Sequence, residues 1–142
     1  MKKKNNIDNY IKIFESLNLG NLNKFDELLD ENIYFEDPFN KVYGIENFKR
    51  IFSNTLKNLG DVEFKILNII SKKNIHIIKW EMIYFAFNKS NSIFGLSEVT
   101  ISENNKIVSH IDYWDSYNNF YTEIPFIGLI FKFVLRLVRK RI

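Results

Sequence analysis

Apolar residues along the chain fall first into a three- and four-residue rhythm and later into alternation. Over 7–18 (IDNYIKIFESLN), Ile7, Tyr10, Ile11, Phe14 and Leu17 share one face of an amphipathic helix, which Leu19-Gly20-Asn21 ends. A second, short helix is predicted over 22–30, with Leu22, Phe25, Leu28 and Leu29 inward. After a turn at Tyr43-Gly44 the helical period returns through Ile45, Phe48, Ile51, Phe52 and Leu56, and Gly60 marks its stop. From Asp61 the pattern changes. The runs 62–73, 75–87, 93–102 and 107–115 are rich in Ile, Val, Phe, Tyr and Trp, with turns at Lys73-Asn74, 88–92 and 103–105 between them. They read as a four-strand antiparallel meander. A helix over 116–122 and, after Pro125, an amphipathic basic helix at about 125–142 complete the chain. Helices followed by a sheet that curves around something define a single α+β domain over 1–142.

One acid breaks the apolar pattern in an informative place. In 33–40 (IYFEDPFN) strand alternation puts Ile33, Phe35 and Asp37 on one face and Tyr34 and Glu36 on the other. Pro38 disfavours the helical region for the residue before it, which holds Asp37 extended. A carboxylate aimed at apolar surroundings needs a partner, a raised pKa or a task. The bland alternative is a turn residue whose carboxylate accepts backbone N–H groups near Phe39-Asn40.

Composition sharpens this picture mainly through its aromatics. The 14 Phe, 7 Tyr and 2 Trp among 142 residues suit a cavity walled by rings as well as a plain core. With no cysteine there is neither a disulfide nor a thiolate metal site, and two histidines leave little for a metal. No metal or organic cofactor is expected. Eight of the 20 basic residues are Lys2, Lys3, Lys4, Lys132, Arg136, Arg139, Lys140 and Arg141, so the 12 that remain are outnumbered by 17 acidic ones. A nucleic-acid binder carries its basic residues across a face of the folded body, so nucleic acid is not an expected partner. The lysine run leads into NNIDNY and not into an apolar signal, and 124–138 (IPFIGLIFKFVLRLV) is interrupted by Lys132 and Arg136. A cytoplasmic protein is the default expectation.

The order helix, helix, FEDP strand, helix, and a meander ending in 110–115 (HIDYWD) resembles the SnoaL-like branch of the nuclear-transport-factor-2-like superfamily, with 37–44 (DPFNKVYG) as a second marker and 121–133 (YTEIPFIGLIFKF) as a third. The resemblance covers nearly the whole chain. It implies a cone-shaped, strongly curved antiparallel sheet packed on the N-terminal helices, with an extra C-terminal helix. It also implies a small, largely apolar molecule in the mouth of the cone, or a non-catalytic interaction module, since fold alone does not choose. Counted from Gly20, Asp37 matches the position of the general base in ketosteroid isomerases, whereas the oxyanion tyrosine and the protonated aspartate of those enzymes would fall at Ile13 and Ser97. Classical steroid isomerisation is therefore not expected.

The same count turns His110, Asp112 and Trp114 toward the cavity, together with Ile78, Trp80, Met82 and Tyr84 of the second meander strand. Two readings stay open. In one, the protein is a cofactor-independent isomerase, cyclase or hydrolase with Asp37 as base and His110 and Asp112 as proton partner and orienter. Trp80, Met82, Tyr84, Ser97 and Trp114 then contact the ligand, with Tyr84 or Ser97 as donors to a polarised oxygen. In the other, the protein is a non-catalytic binding or dimeric module, and His110 and Asp112 are a structural pair anchoring the sheet to the first helix. Same-face neighbours on a strand lie about 6.5–7 Å apart, which permits a His110–Asp112 contact without ensuring it. His76 is expected near a hairpin end, in solvent.

Two apolar surfaces call for a cover. Glu81, Ile83, Phe85, Phe87, Ile111 and Tyr113 face away from the cavity, and a homodimer through this stripe is expected, with a folded-back last helix as the competing cover. That helix has Phe126, Ile127, Ile130, Phe133, Val134, Leu137 and Val138 on a broad arc opposite a basic stripe of Lys132, Arg136 and Lys140. It packs over the cavity mouth or a dimer partner, or it docks peripherally on a membrane surface.

Overall fold

The computed structural model describes residues 6–86, 88–124 and 126–140. Phe87, Pro125, Lys2, Lys3, Lys4 and Arg141, which carry part of the expectations above, lie outside the described residues. The chain forms α1 (Asn6–Glu15), a 3₁₀ turn at Leu22–Glu27, β1 (Leu29–Glu36), β2 (Lys41–Tyr43) and α2 (Ile45–Asn58). The meander follows as β3 (Gly60–Lys72), β4 (Ile75–Ala86), β5 (Lys89–Ile101) and β6 (Ile107–Trp114). Then come α3 (Ser116–Asn119), a 3₁₀ turn at Tyr121–Glu123 and α4 (Ile127–Arg139).

All six strands join one open sheet in the order β2-β1-β6-β5-β4-β3. The meander pairs are antiparallel as predicted, but β1 and β6 run parallel, with Phe35 opposite His110. The expectation of a strongly curved, wholly antiparallel sheet is therefore corrected: the sheet is mixed, and β2 and β3 remain its two free edges. The reason is the long connection. Leaving β2, the chain passes through α2 to the far edge and returns strand by strand, so β6 reaches β1 from a distant part of the sequence and no hairpin fixes their relative direction.

Asp37 and Pro38 lie in the tight turn that joins β1 to the short β2, where Tyr34 pairs with Tyr43 and Glu36 with Lys41. Gly44 then takes φ +86°, a region that side-chain-bearing residues avoid, and its N–H donates to Ile33 O before α2 starts. At the other end of α2 the exit differs from the predicted glycine stop. Leu59 is already extended, Gly60 is the first residue of β3, and Asp61 carries the positive φ.

The helices cover one face of the sheet with a core of rings. Tyr10 and Phe14 from α1, Phe25 from the 3₁₀ turn, Phe35 from β1 and Phe48 and Phe52 from α2 are all buried and meet mostly edge to face. His76 is buried too, 5% exposed, and lies 2.7 Å from Ser71 Oγ on the neighbouring strand. This corrects its expected solvent position. Burial lowers its pKa, against a smaller opposing pull from Asp8.

Candidate functional site

Strand register builds the site in layers. Residues directly opposite one another on paired strands point the same way. Trp80, Gly95 and Trp114 therefore form one row across β4, β5 and β6, and Ile78, Ser97 and Asp112 form the next. His76, Val99 and His110 make a third row, which continues to Phe35 on β1. Gly95 is required in the first row, because a Cβ there would overlap the Trp80 ring. The ring thus lies over β5 and its Nε1–H reaches Ser97 Oγ at 2.8 Å.

From that contact a hydrogen-bonded line crosses the interior. Ser97 Oγ donates to Asp112 Oδ1, His110 Nε2 lies 2.7 Å from the same oxygen, and His110 Nδ1 lies 2.5 Å from Tyr10 Oη. Tyr10 is fully buried, and burial, reinforced by the Asp112 charge, holds its phenol pKa well above the usual value. It keeps its proton. Its hydroxyl is within hydrogen-bond distance of Nδ1, and the other ring nitrogen faces Asp112, whose Oδ1 accepts from the Nε2–H. His110 is 3% exposed and Ser97 is 3% exposed, so Asp112 Oδ1 takes two donors in a dry setting. Asp112 Oδ2 makes no hydrogen bond to another described residue.

Above Asp112 opens a cavity of about 340 Å³ between α2 and the sheet, the size of a small-ligand site. Phe35, Phe52, Phe64, Met82, Ile93 and Trp114 supply apolar wall, and Asp37 and Asp112 are its two acids. A narrow apolar pocket of about 30 Å³ continues inward past Asp112 to Tyr10 and His110. Of the residues singled out in the sequence, Asp37, Trp80, Met82, Tyr84, Asp112 and Trp114 line the larger space, while Ser97 and His110 lie beneath it. Burial, with a smaller effect of Glu123, raises the Tyr84 phenol pKa, so at neutral pH this side chain is a hydrogen-bond donor. Among the described residues no three His, Asp or Glu side chains are grouped to hold a metal ion.

Asp37 is engaged differently from Asp112. Its Oδ1 accepts from the Phe39 and Asn40 backbone N–H groups at 2.8 and 2.7 Å and from Asn40 Nδ2 at 3.0 Å, while Oδ2 is 3.1 Å from the same amide. Most of its acceptor capacity holds the β1–β2 turn at the cavity rim. No hydrogen bond joins it to His110 or Asp112.

Sequence reasoning missed Tyr10, which it assigned only to a helix face, and the polar wall of α2 formed by Asn54, Thr55 and Asn58. A signal existed for the second. Thr55 lies four residues after Ile51 and three after Phe52, within the buried stripe of α2, where an apolar residue is the default.

Comparison with known proteins agrees with this architecture. No curated protein matches the sequence. The chain is similar in structure to a putative SnoaL-like polyketide cyclase from Jannaschia sp. CCS1, with a TM-score of 0.68, 10% identity, and coverage of 78% of this chain and 85% of that one. It is similar to an LEH-like epoxide hydrolase from M. tuberculosis, with a TM-score of 0.65, 14% identity, and coverage of 81% and 79%. An NTF2-like protein of unknown function from Exiguobacterium sp. 255-15 gives a TM-score of 0.67 at 14% identity, covering 78% of this chain and 98% of its own. At such identities the likeness establishes the fold alone. The sequence profile of the SnoaL-like domain is more specific, matching residues 10–110, from the tyrosine of α1 to the histidine it binds, and on that match the chain belongs to the SnoaL-like domain family.

Proposed function

We propose that this protein binds a small, largely apolar molecule in the cavity beneath α2 and offers Asp112 as the proton acceptor for cofactor-independent acid–base chemistry. The observation that carries this reading is the asymmetry of one carboxylate. Asp112 Oδ1 is held by Ser97 and His110, while Oδ2 is left for a ligand in a space whose sheet side is mainly apolar and whose α2 side carries Asn54, Thr55 and Asn58. A base fixed in orientation needs no reorganisation when the substrate proton arrives. Tyr84, protonated and on the cavity wall, suits a donor to a developing oxyanion. Asp37 contributes the rim of the opening through its turn, and in this reading the role of base passes from Asp37 to Asp112. The names of the structurally similar proteins, a putative polyketide cyclase and an epoxide hydrolase, support reactions on small organic molecules.

The test is a thermal-stabilisation screen with small apolar compounds bearing a hydroxyl, carbonyl or epoxide group. A ligand at a hundred times its Kd stabilises a protein by about 2.7 kcal/mol, which a melting curve resolves easily. Stabilisation should vanish in Thr55→Phe, which fills the cavity from α2. Hits that stabilise this variant equally would place the ligand elsewhere and sink the proposal.

The outer face of the sheet supports a second element of the reading, a homodimer. Phe85, Phe94, Leu96 and Tyr113 are between 42% and 56% exposed there, and α4 packs against the Tyr121–Glu123 turn and not over them. A patch of that kind is rarely left open in a monomer. Sedimentation should find two chains per particle, and Phe94→Glu should return one; a wild-type monomer at high concentration would reject the pairing.

A further inference from the structure

Helix α4 touches the rest of the protein through a narrow strip. Gly128 lies against the Thr122 backbone, where an added Cβ would come within 3.0 Å of the carbonyl carbon, and Phe131 packs on Tyr117 and Tyr121. The remainder of its apolar surface is open: Phe126 is 82% exposed, Leu129 69%, Ile130 64% and Phe133 59%. At 100° per residue, Phe133, Leu137, Ile130, Val134 and Ile127 fan over roughly 120° of circumference directed away from the Gly128 strip. Lys132, Arg136 and Arg139 border a groove with Tyr117, Asn118 and Thr122, on the side nearer the body.

We propose that α4 is a membrane-surface anchor that lies in the plane of an anionic phospholipid bilayer, its apolar arc in the acyl boundary and its basic residues among the headgroups. Charge selects this occupant. The helix carries Lys132, Arg136 and Arg139, is followed by Lys140, and contains no acid. A second copy seated on the apolar arc would bring no carboxylate to Lys132, Arg136 or Arg139, since the facing helix carries none. Its 13 residues span only about 20 Å, too little for the roughly 800 Å² per partner that a stable protein interface buries. An anionic lipid surface satisfies both halves of the helix, because Lys and Arg extend apolar stems along the acyl boundary and place their charges at phosphates. The length also excludes spanning: no helix among the described residues is long and apolar enough to cross a membrane. The ring contacts continue from Phe131 through Tyr121 to Phe39 on the cavity wall, so the anchor sits beside the cavity mouth.

Vesicle flotation of the full chain tests this without knowledge of any ligand. The protein should float with phosphatidylcholine vesicles that contain phosphatidylglycerol and remain unbound with phosphatidylcholine alone. Each basic residue near an anionic surface contributes about fivefold in partitioning, the equivalent of about 1 kcal/mol. Lys132→Gln combined with Arg136→Gln should therefore weaken binding about 30-fold, and Phe133→Glu should abolish it. All three residues are exposed, and the wild-type comparison of the two vesicle types is decisive even if a variant misfolds. Absence of flotation with the anionic vesicles, or equal flotation with both kinds, would overturn the proposal. So would a two-chain particle in light scattering that Phe133→Glu reduces to one chain, since a second copy would then be what covers the helix.

Discussion

Asp112→Ala is expected to destabilise the fold by about 2–5 kcal/mol, whereas Asp112→Asn should leave it within about 1 kcal/mol of wild type. The alanine variant strips the acceptor from the Ser97 hydroxyl and from His110 Nε2–H, both buried. Each stranded donor costs about 1–3 kcal/mol, less the part that water entering from the cavity restores. The asparagine carbonyl can stand where Oδ1 stands and accept from both, which puts its amide NH₂ in the position of Oδ2, on the cavity. The pair of variants thus separates structure from chemistry, because one removes the network and the other only the free anionic oxygen. Denaturant unfolding reads both, and equal losses in the two variants would mean that the network does not depend on Oδ1.

A second large effect is expected at Phe35→Ala, about 3–5 kcal/mol, against a total stability of about 5–15 kcal/mol for an ordinary domain. Phe35 is 1% exposed and meets Phe48 and Phe52 of α2 at centroid separations of 5.5 and 5.6 Å and His110 at 5.3 Å. Truncation leaves a void between helix and sheet that these rings cannot close without leaving one another. Phe39→Ala provides the control. That ring packs on Trp114 and Phe120 at the cavity mouth but is 47% exposed, so its loss should cost about 1 kcal/mol or less. The urea midpoints of the two variants check the contrast, and similar shifts would show that the core does not centre on Phe35.

These two sites also show where sequence reading succeeds and where it stops. Local periodicity placed α1, α2 and the meander, because helix and hairpin patterns depend on residues close in sequence. The inward side of β4, with Ile78, Trp80 and Tyr84 buried, was legible only after the family resemblance set the register. The parallel pairing of β1 with β6 was not legible, since no turn encodes the direction of strands so far apart. Nor was the start of β5 at Lys89. The polar run Lys89 to Ser92 looks like a loop, yet its backbone pairs with β4 from Ala86 to Ile83. Tyr10 was hidden for a related reason: as an apolar ring it completes the stripe of α1, and its hydroxyl acquires meaning only when the fold brings His110 beside it. Asp37 shows the converse. The Asp-Pro signal was strong, and its turn geometry accounts for the carboxylate through four hydrogen bonds that the sequence could suggest but not choose.

The proposed role of Asp112 Oδ2 toward a ligand is read by calorimetric titration of a hydroxyl-bearing hit into wild type and Asp112→Asn. A hydrogen bond to a charged acceptor contributes about 1.5–3 kcal/mol, so binding about 10- to 100-fold weaker is expected in the variant, with its unfolding midpoint little changed. Equal affinity in the two proteins would rule out that role for Asp112.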